Sequence, residues 1–156
     1  MIKLILSDFS RTILFAKDPI YKGSLNELYK TISPNRETFW DTFYLNERYF
    51  GTLSTLDIAK SIFTTGYLQN DIQILPLLEQ VFSKILNCES IGGIKKDNPL
   101  AYQKIIELIG IPGSSILFID DEATNLTAAA EAGLQTLKFE DNDDFYVNLI
   151  KKTSIL

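Results

Sequence analysis

The segment Ser115-Ile116-Leu117-Phe118-Ile119-Asp120-Asp121 restricts the possible folds of this chain more than any other. Four consecutive apolar residues leave no polar face for solvent, so they fit a strand covered on both sides, as in a parallel sheet flanked by helices. The run ends in two adjacent carboxylates. Two acids side by side at a strand end repel each other unless a cation lies among them, and a hard, oxygen-preferring metal ion is the natural partner. A second strand of this kind opens the chain, where Lys3-Leu4-Ile5-Leu6-Ser7 runs into Asp8 and then Phe9-Ser10-Arg11-Thr12. Open α/β sheets keep their chemistry in the crevice outside the carboxyl ends of their strands. Asp8 is therefore a candidate for the same site as Asp120 and Asp121.

The rest of the chain alternates strands and helices. After the first strand, Lys17-Asp18-Pro19 reads as a loop leaving the sheet for an insert. Within it, Ser24 caps a helix through Leu25, Leu28, Tyr29 and Ile32 that ends near Ser33-Pro34, and Asn35 opens a second helix with Glu37 in its first turn. The second helix carries an aromatic stripe, Phe39, Trp40, Phe43 and Tyr44, followed by Tyr49 and Phe50, and Gly51 to Asp57 brings the chain back. A stripe at helical spacing is expected to pack the insert onto the main domain; the alternative is that some of these rings roof an active site. Ile58 to Gly66 then reads as a strand ending in hydroxyls, Thr64 and Thr65. A helix from Asn70 or Asp71 carries Ile72, Leu75, Leu78 and Phe82, limited by Pro76. Lys84 to Cys88 is a weaker strand. Asn98 caps a helix with Pro99 at its first position, which packs through Ala101, Ile105, Leu108 and Ile109 and stops at Gly110. Beyond Asp121 come Asn125, an Ala-rich helix face, a last strand from Leu134 to Phe139, an acidic loop from Glu140 to Asp144, and a closing helix that buries Phe145, Leu149 and Ile150. This order predicts an α/β fold with a doubly wound, Rossmann-like parallel sheet.

Composition narrows the chemistry. A length of 156 residues suits one domain with a small insert. No apolar run approaches the roughly 18 residues that span a bilayer, and a net charge of −5 offers no basic field to nucleic acid or anionic lipid. Neither a membrane nor a nucleic-acid partner is expected. Met1-Ile2-Lys3 leads straight into a strand without a signal-peptide pattern, and Cys88 is the sole cysteine, both of which point to the cytoplasm. With no histidine in the chain, Ser-His-Asp and Cys-His catalysis and His-ligated zinc are excluded. Carboxylate, hydroxyl and lysine chemistry remain.

In order, the strand ends supply Asp8, the pair Thr64-Thr65, Lys95 or Lys96, and Asp120-Asp121. In this the chain resembles the haloacid dehalogenase superfamily, whose phosphatases carry an Asp-x-Asp-Gly-Thr loop, a strand ending in Thr or Ser, a lysine before Pro-Asp-Pro, and a strand ending in paired Asp. The likeness is strongest at Lys96-Asp97-Asn98-Pro99 leading to Tyr102, and from Ile116 to Gly133. It implies a Mg²⁺-dependent phosphohydrolase acting on a small phosphorylated metabolite. Asp8 would attack phosphorus and form an aspartyl-phosphate, with Mg²⁺ held by Asp8, Asp120 and the main-chain carbonyl of Ser10; Asp121 either joins through water or orients the metal's surroundings. Thr65, favoured over Thr64 by the following Gly66, and Lys96, favoured over Lys95 by its spacing to Pro99, would bind phosphoryl oxygens. Residues 15–51 would be a small helical cap, and 1–14 with 52–156 the core. Two positions depart from the pattern: Ser10 stands where phosphatases have the second Asp, their general acid and base, and Arg11 where they have Gly. Arg11 either lends charge to the phosphate or lays its stem against the cap. Ser10 keeps open two further readings, a catalytically silent phosphate-binding or interaction protein and a phosphoryl-transfer enzyme.

Overall fold

A computed structural model describes residues 1–32 and 36–154 of the chain. The strands are β1 (Leu4–Ser7), β2 (Leu14–Ala16), β3 (Phe43–Leu45), β4 (Ala59–Thr64), β5 (Lys84–Asn87), β6 (Ile116–Asp120) and β7 (Gln135–Lys138). The helices are α1 (Leu25–Lys30), α2 (Arg36–Thr42), α3 (Glu47–Thr55), α4 (Leu75–Glu79), α5 (Pro99–Ile109), α6 (Ala123–Glu131) and α7 (Asp143–Thr153). Five strands form one parallel sheet in the order β5-β4-β1-β6-β7, with β1 at its centre. This is the doubly wound α/β architecture that the two-sided apolar runs predict.

Alternation along the strands feeds two cores. Leu4, Leu6, Phe63, Ile116 and Phe118 point to one face, where Tyr102 and Ile105 of α5 and Ala128 and Ala129 of α6 cover them. Ile5, Ile62, Leu117 and Ile119 point to the other, against Tyr49 and Leu53 of α3, Leu78 of α4, and Phe145 and Leu149 of α7. Because both faces are covered, the central strands need no polar alternation, and every residue of β1 and β6 is buried. Small side chains on α6 let it lie close to the sheet.

Local signals set the helix ends. Asn98 Oδ1 accepts the Leu100 amide at 3.0 Å, Pro99 starts α5, and Gly110 ends it at φ 77°, a left-handed turn that a residue without Cβ makes cheaply. Asn142 caps α7 through the Phe145 amide, with Asp143 and Asp144 in the first turn and Lys151 and Lys152 in the last, in accord with the helix dipole. No helix among the described residues is long and apolar enough to cross a membrane.

Several expectations need correction. The aromatic stripe is divided: Phe39 and Trp40 lie on α2, whereas Phe43 and Tyr44 belong to β3, which pairs antiparallel with β2 (Phe15 opposite Tyr44). A non-local hairpin partner overrides the local helical spacing. The return stretch from Gly51 is helical, since α3 begins at Glu47 behind the cap Asn46 and continues to Thr55. The helix expected from Asn70 or Asp71 is broken into a 3₁₀ turn, Leu68–Asn70, and the short α4, so that Ile72 is exposed. Two of the residues assigned to the acidic loop, Asp143 and Asp144, are the first turn of α7. The helix end near Ser33-Pro34 and the start at Asn35 fall outside the described residues.

Candidate active site

Sheet register brings the strand-end groups together. Ser7 pairs with Ile119 of β6 and with Ile62 of β4, so the next residue on, Asp8, lies level with Asp120; the Asp8 amide donates to the Ile119 carbonyl at 2.8 Å. Beyond Asp8 the chain turns sharply. The Ile13 and Leu14 amides both donate to the Phe9 carbonyl at 3.0 and 3.1 Å, and the Arg11 amide donates to the Leu14 carbonyl at 2.8 Å. Arg11 takes φ 60°, the only positive φ outside glycine among the described residues. This is the position where the motif that the loop resembles carries Gly, and the left-handed backbone is the physical reason for a glycine there.

The Asp8 carbonyl is fixed twice over. Thr12 Oγ1 and Ser7 Oγ each donate to it at 2.7 Å. Ser7 Oγ, having donated, accepts from the Tyr49 hydroxyl 2.9 Å away. Asn46 closes the loop from the far side: its amide donates to the Ile13 carbonyl at 2.7 Å and its Nδ2 to the Thr12 carbonyl at 3.2 Å. Sequence reasoning missed Ser7, Asn46 and Tyr49. Asn46 before Glu47 is a readable helix start, whereas nothing local marks a serine inside an apolar strand.

Lys96 joins the carboxylates. Its Nζ lies 2.7 Å from Asp8 Oδ1 and 2.7 Å from Asp120 Oδ2, with all three side chains buried. Its ammonium stands 5.6 and 5.5 Å from the ring centres of Phe63 and Phe118, and its carbonyl accepts from the Tyr102 hydroxyl at 2.8 Å, which ties the lysine to α5. Lys95 is exposed. Asp120 also accepts the Glu122 amide at Oδ1 (2.8 Å) and Asn125 Nδ2 at Oδ2 (3.1 Å). Carboxylate oxygens of Asp8, Asp120 and Asp121 lie within 4.8 Å of one another. An octahedral Mg²⁺ with bonds of about 2.1 Å holds opposite oxygens about 4 Å apart, so this all-oxygen set fits a hard divalent cation after a small contraction.

Protonation reflects the crowding. Burial, with the Asp120 charge added, pushes Asp8 up to about 6 even though Lys96 pulls it down. Burial and the Asp8 and Asp120 charges push Asp121 up to about 8. Burial draws Lys96 down, but the two carboxylates outweigh it and hold the ammonium above the ordinary lysine value. One lysine does not offset three acids.

The remaining predicted residues lie around this cluster. Ser10 is half-buried and bridges to Leu14. Thr64 ends β4 and is buried, whereas Thr65, one residue past the strand, is exposed and lines a depression with Lys96 and Asn125. Arg11 sends its guanidinium to the Gly23 carbonyl. It also lines, with Asp121, a larger cavity of about 950 Å³.

A parallel α/β sheet whose central strand ends carry clustered acids, with a buried lysine from the loop before α5 between them, narrows the class of protein. A model of haloacid dehalogenase-like hydrolases matches residues 51–133, more than half of the chain, which therefore belongs to that family. Over 55 residues the chain is 40% identical to Enolase-phosphatase E1 of Stenotrophomonas maltophilia (strain K279a), covering 35% of this chain and 23% of that protein. Over 62 residues it is 34% identical to Flavin mononucleotide hydrolase 1, chloroplatic, of Arabidopsis thaliana, covering 40% of this chain and 25% of that protein. The chain thus spans about a quarter of the length of these curated relatives. Among solved structures, a HAD-like family hydrolase from Porphyromonas gingivalis superposes with a TM-score of 0.69 at 17% identity over 100% of both chains. A HAD family enzyme from Bacteroides thetaiotaomicron, in complex with magnesium and inorganic phosphate, superposes with a TM-score of 0.64 at 14% identity over 92% of this chain and 97% of that one. At such identities the likeness concerns the fold.

Proposed function

We propose that the protein is a Mg²⁺-dependent phosphohydrolase that acts on a small phosphorylated metabolite through an aspartyl-phosphate on Asp8. The observation that carries this reading is the buried Lys96 spanning Asp8 and Asp120 at 2.7 Å, beside Asp121. Asp8, Asp120, Asp121 and the Ser10 carbonyl would hold the metal ion, which when bound neutralises charge on the phosphoryl oxygens. An oxygen of Asp8 attacks phosphorus, the bond from phosphorus to the ester oxygen breaks, and the departing oxygen takes a proton from water. A second water then releases inorganic phosphate and restores the carboxylate. Lys96 keeps Asp8 ionised and, with Thr65 or Thr64 and Arg11, binds the phosphoryl oxygens. Residues 15–51 act as a cap over this core, formed by 1–14 and 52–156. Ser10 lacks a carboxylate to move protons, so turnover is about 10²- to 10⁴-fold below that of a site with a positioned acid and base.

A panel of phosphomonoesters assayed with and without Mg²⁺ tests the reading. The expected result is Mg²⁺-dependent phosphate release that disappears in Asp8→Asn; unchanged release in that variant would sink the nucleophile. Ser10 also motivates a second reading, phosphate binding without turnover. Intact mass after incubation with acetyl phosphate separates the two, since an adduct on Asp8 supports covalent chemistry and its absence, together with Mg²⁺-dependent phosphate binding, supports the silent reading.

A further inference from the structure

The cavity beside Asp121 is far larger than a phosphate needs. At about 950 Å³ it falls at the upper end of the roughly 300–1,000 Å³ typical of small-molecule sites. Its lining combines five aromatic side chains with charged and polar ones, among them Lys17 and Glu47. Phe15 and Tyr44 face each other across the β2–β3 pair, with ring centres 5.5 Å apart and planes 18° from parallel. Tyr44 is 45% exposed and Phe15 half-buried, so this stack presents area to the cavity as well as to the core. Phe139 lies behind it, 6.5 Å from Phe15. On another side stands Trp40, half-buried and held edge-on by Phe39 at 4.8 Å and 80°. These rings come from β2, β3, α2 and the end of β7, and their convergence on one opening is not a by-product of one amphipathic helix.

The same cavity reaches the reactive cluster. Asp121 lines it, and an oxygen of Asp121 lies within 4.8 Å of one on Asp8. Arg11, whose guanidinium also donates to the Gly23 carbonyl, and Lys17 line it too and supply its positive charge. Glu140 and Asp141 border it and provide acceptors for ring amino groups or hydroxyls. Resting on the phosphohydrolase reading, we infer that the substrate is a phosphomonoester whose organic part carries a planar aromatic ring, such as a heterocyclic base, seated among Phe15, Trp40 and Tyr44. A sugar phosphate without a ring leaves those faces in water, whereas stacking a base on an aromatic side chain gains about 5- to 150-fold in affinity.

Four primary-alcohol monoesters test this with matched leaving groups: adenosine 5′-monophosphate, flavin mononucleotide, ribose 5-phosphate and n-hexyl phosphate. With Mg²⁺, kcat/KM for at least one ring-bearing ester is expected to exceed that for ribose 5-phosphate by about tenfold or more. Tyr44→Ala and Trp40→Leu should bring that ratio towards one through KM, whereas a purely structural loss would lower all substrates together. Equal rates across the panel, n-hexyl phosphate matching the best ring-bearing ester, or variants that lower all substrates alike would overturn the inference. If no ester is hydrolysed, the phosphohydrolase reading fails and binding decides the subsite. Trp40 is the sole tryptophan, so its fluorescence reports the cavity directly. Quenching by the ring-bearing esters and not by ribose 5-phosphate supports the ring site; no change with any ester refutes it.

Discussion

Replacing Lys96 by methionine isolates the charge balance of the site. Methionine keeps an unbranched apolar stem between Phe63 and Phe118 and removes only the ammonium that lies 2.7 Å from both Asp8 and Asp120. What remains is the repulsion among carboxylates whose oxygens lie within 4.8 Å of one another, at least roughly 3 kcal/mol per ionised pair at an effective dielectric of about 20, with no cation to offset it. Measured losses on breaking a buried pair, about 3–5 kcal/mol, agree with that figure. Against a total stability of about 5–15 kcal/mol this is a large fraction. The pH dependence follows from Asp8, already at about 6 with the lysine present. Without Lys96 it rises further. An acid whose folded pKa exceeds its unfolded value penalises the fold fully above the folded pKa, and the penalty fades as pH falls through it towards the unfolded one. Urea unfolding in metal-free buffer should therefore show Lys96→Met about 3–5 kcal/mol less stable than the parent near pH 8 and closer to it near pH 5, with Mg²⁺ recovering part of the loss. A loss under about 1 kcal/mol near pH 8, or an equal loss at both pH values, would refute this account of the cluster.

Three further perturbations test neighbouring parts of the site. Mg²⁺ at about 100 times its Kd should stabilise the parent by about 2.7 kcal/mol in thermal unfolding, a gain that Asp120→Asn removes. Arg11→Gly relieves a left-handed residue at a cost in unfolded-chain entropy, so urea unfolding should show between no change and a gain of about 1 kcal/mol despite the lost contact to Gly23. Tyr49→Phe deletes a hydroxyl that burial keeps protonated, its pKa far above the usual phenol value, and that donates to Ser7. The expected loss is about 1–2 kcal/mol by urea unfolding, and a smaller effect would show that the Ser7 hydroxyl needs no second partner.

The parts of the fold most legible in the sequence are those whose cause is local. Ile116 to Asp120 and Leu4 to Ser7 carry their two-sided burial as unbroken apolar runs, and Asn98-Pro99 and Gly110 mark both ends of α5. The start of α3 at Asn46-Glu47 is a local signal that sequence reasoning missed, whereas the division of the aromatic stripe depends on partners far along the chain. Phe43 and Tyr44 continue the helical spacing of Phe39 and Trp40, and only the pairing with Leu14–Ala16 makes them a strand. The site divides in the same way. Asp8, Asp120 and Asp121 announce themselves at strand ends, whereas the sequence favours Lys96 over Lys95 only by its spacing to Pro99 and carries no physical reason for one ammonium to turn inward. That choice rests on the Tyr102 hydroxyl bond to Lys96 and on the ring walls of Phe63 and Phe118. Ser7 and Tyr49 are silent in sequence because their link spans a strand and a helix from opposite ends of the insert.

The central place of β1 also bears on kinetics. Leu4 pairs with Ala59 on one side and Ile116 on the other, so the sheet around Asp8 closes only when chain segments far apart in sequence have docked in parallel, a topology that folds slowly. During synthesis no partial chain short of Ile116–Asp120 contains the carboxylate cluster, and a cation held by Asp8 and Asp120 would recognise only the finished sheet. A cation held there would bind the folded chain and not the unfolded one, and so would raise stability by mass action.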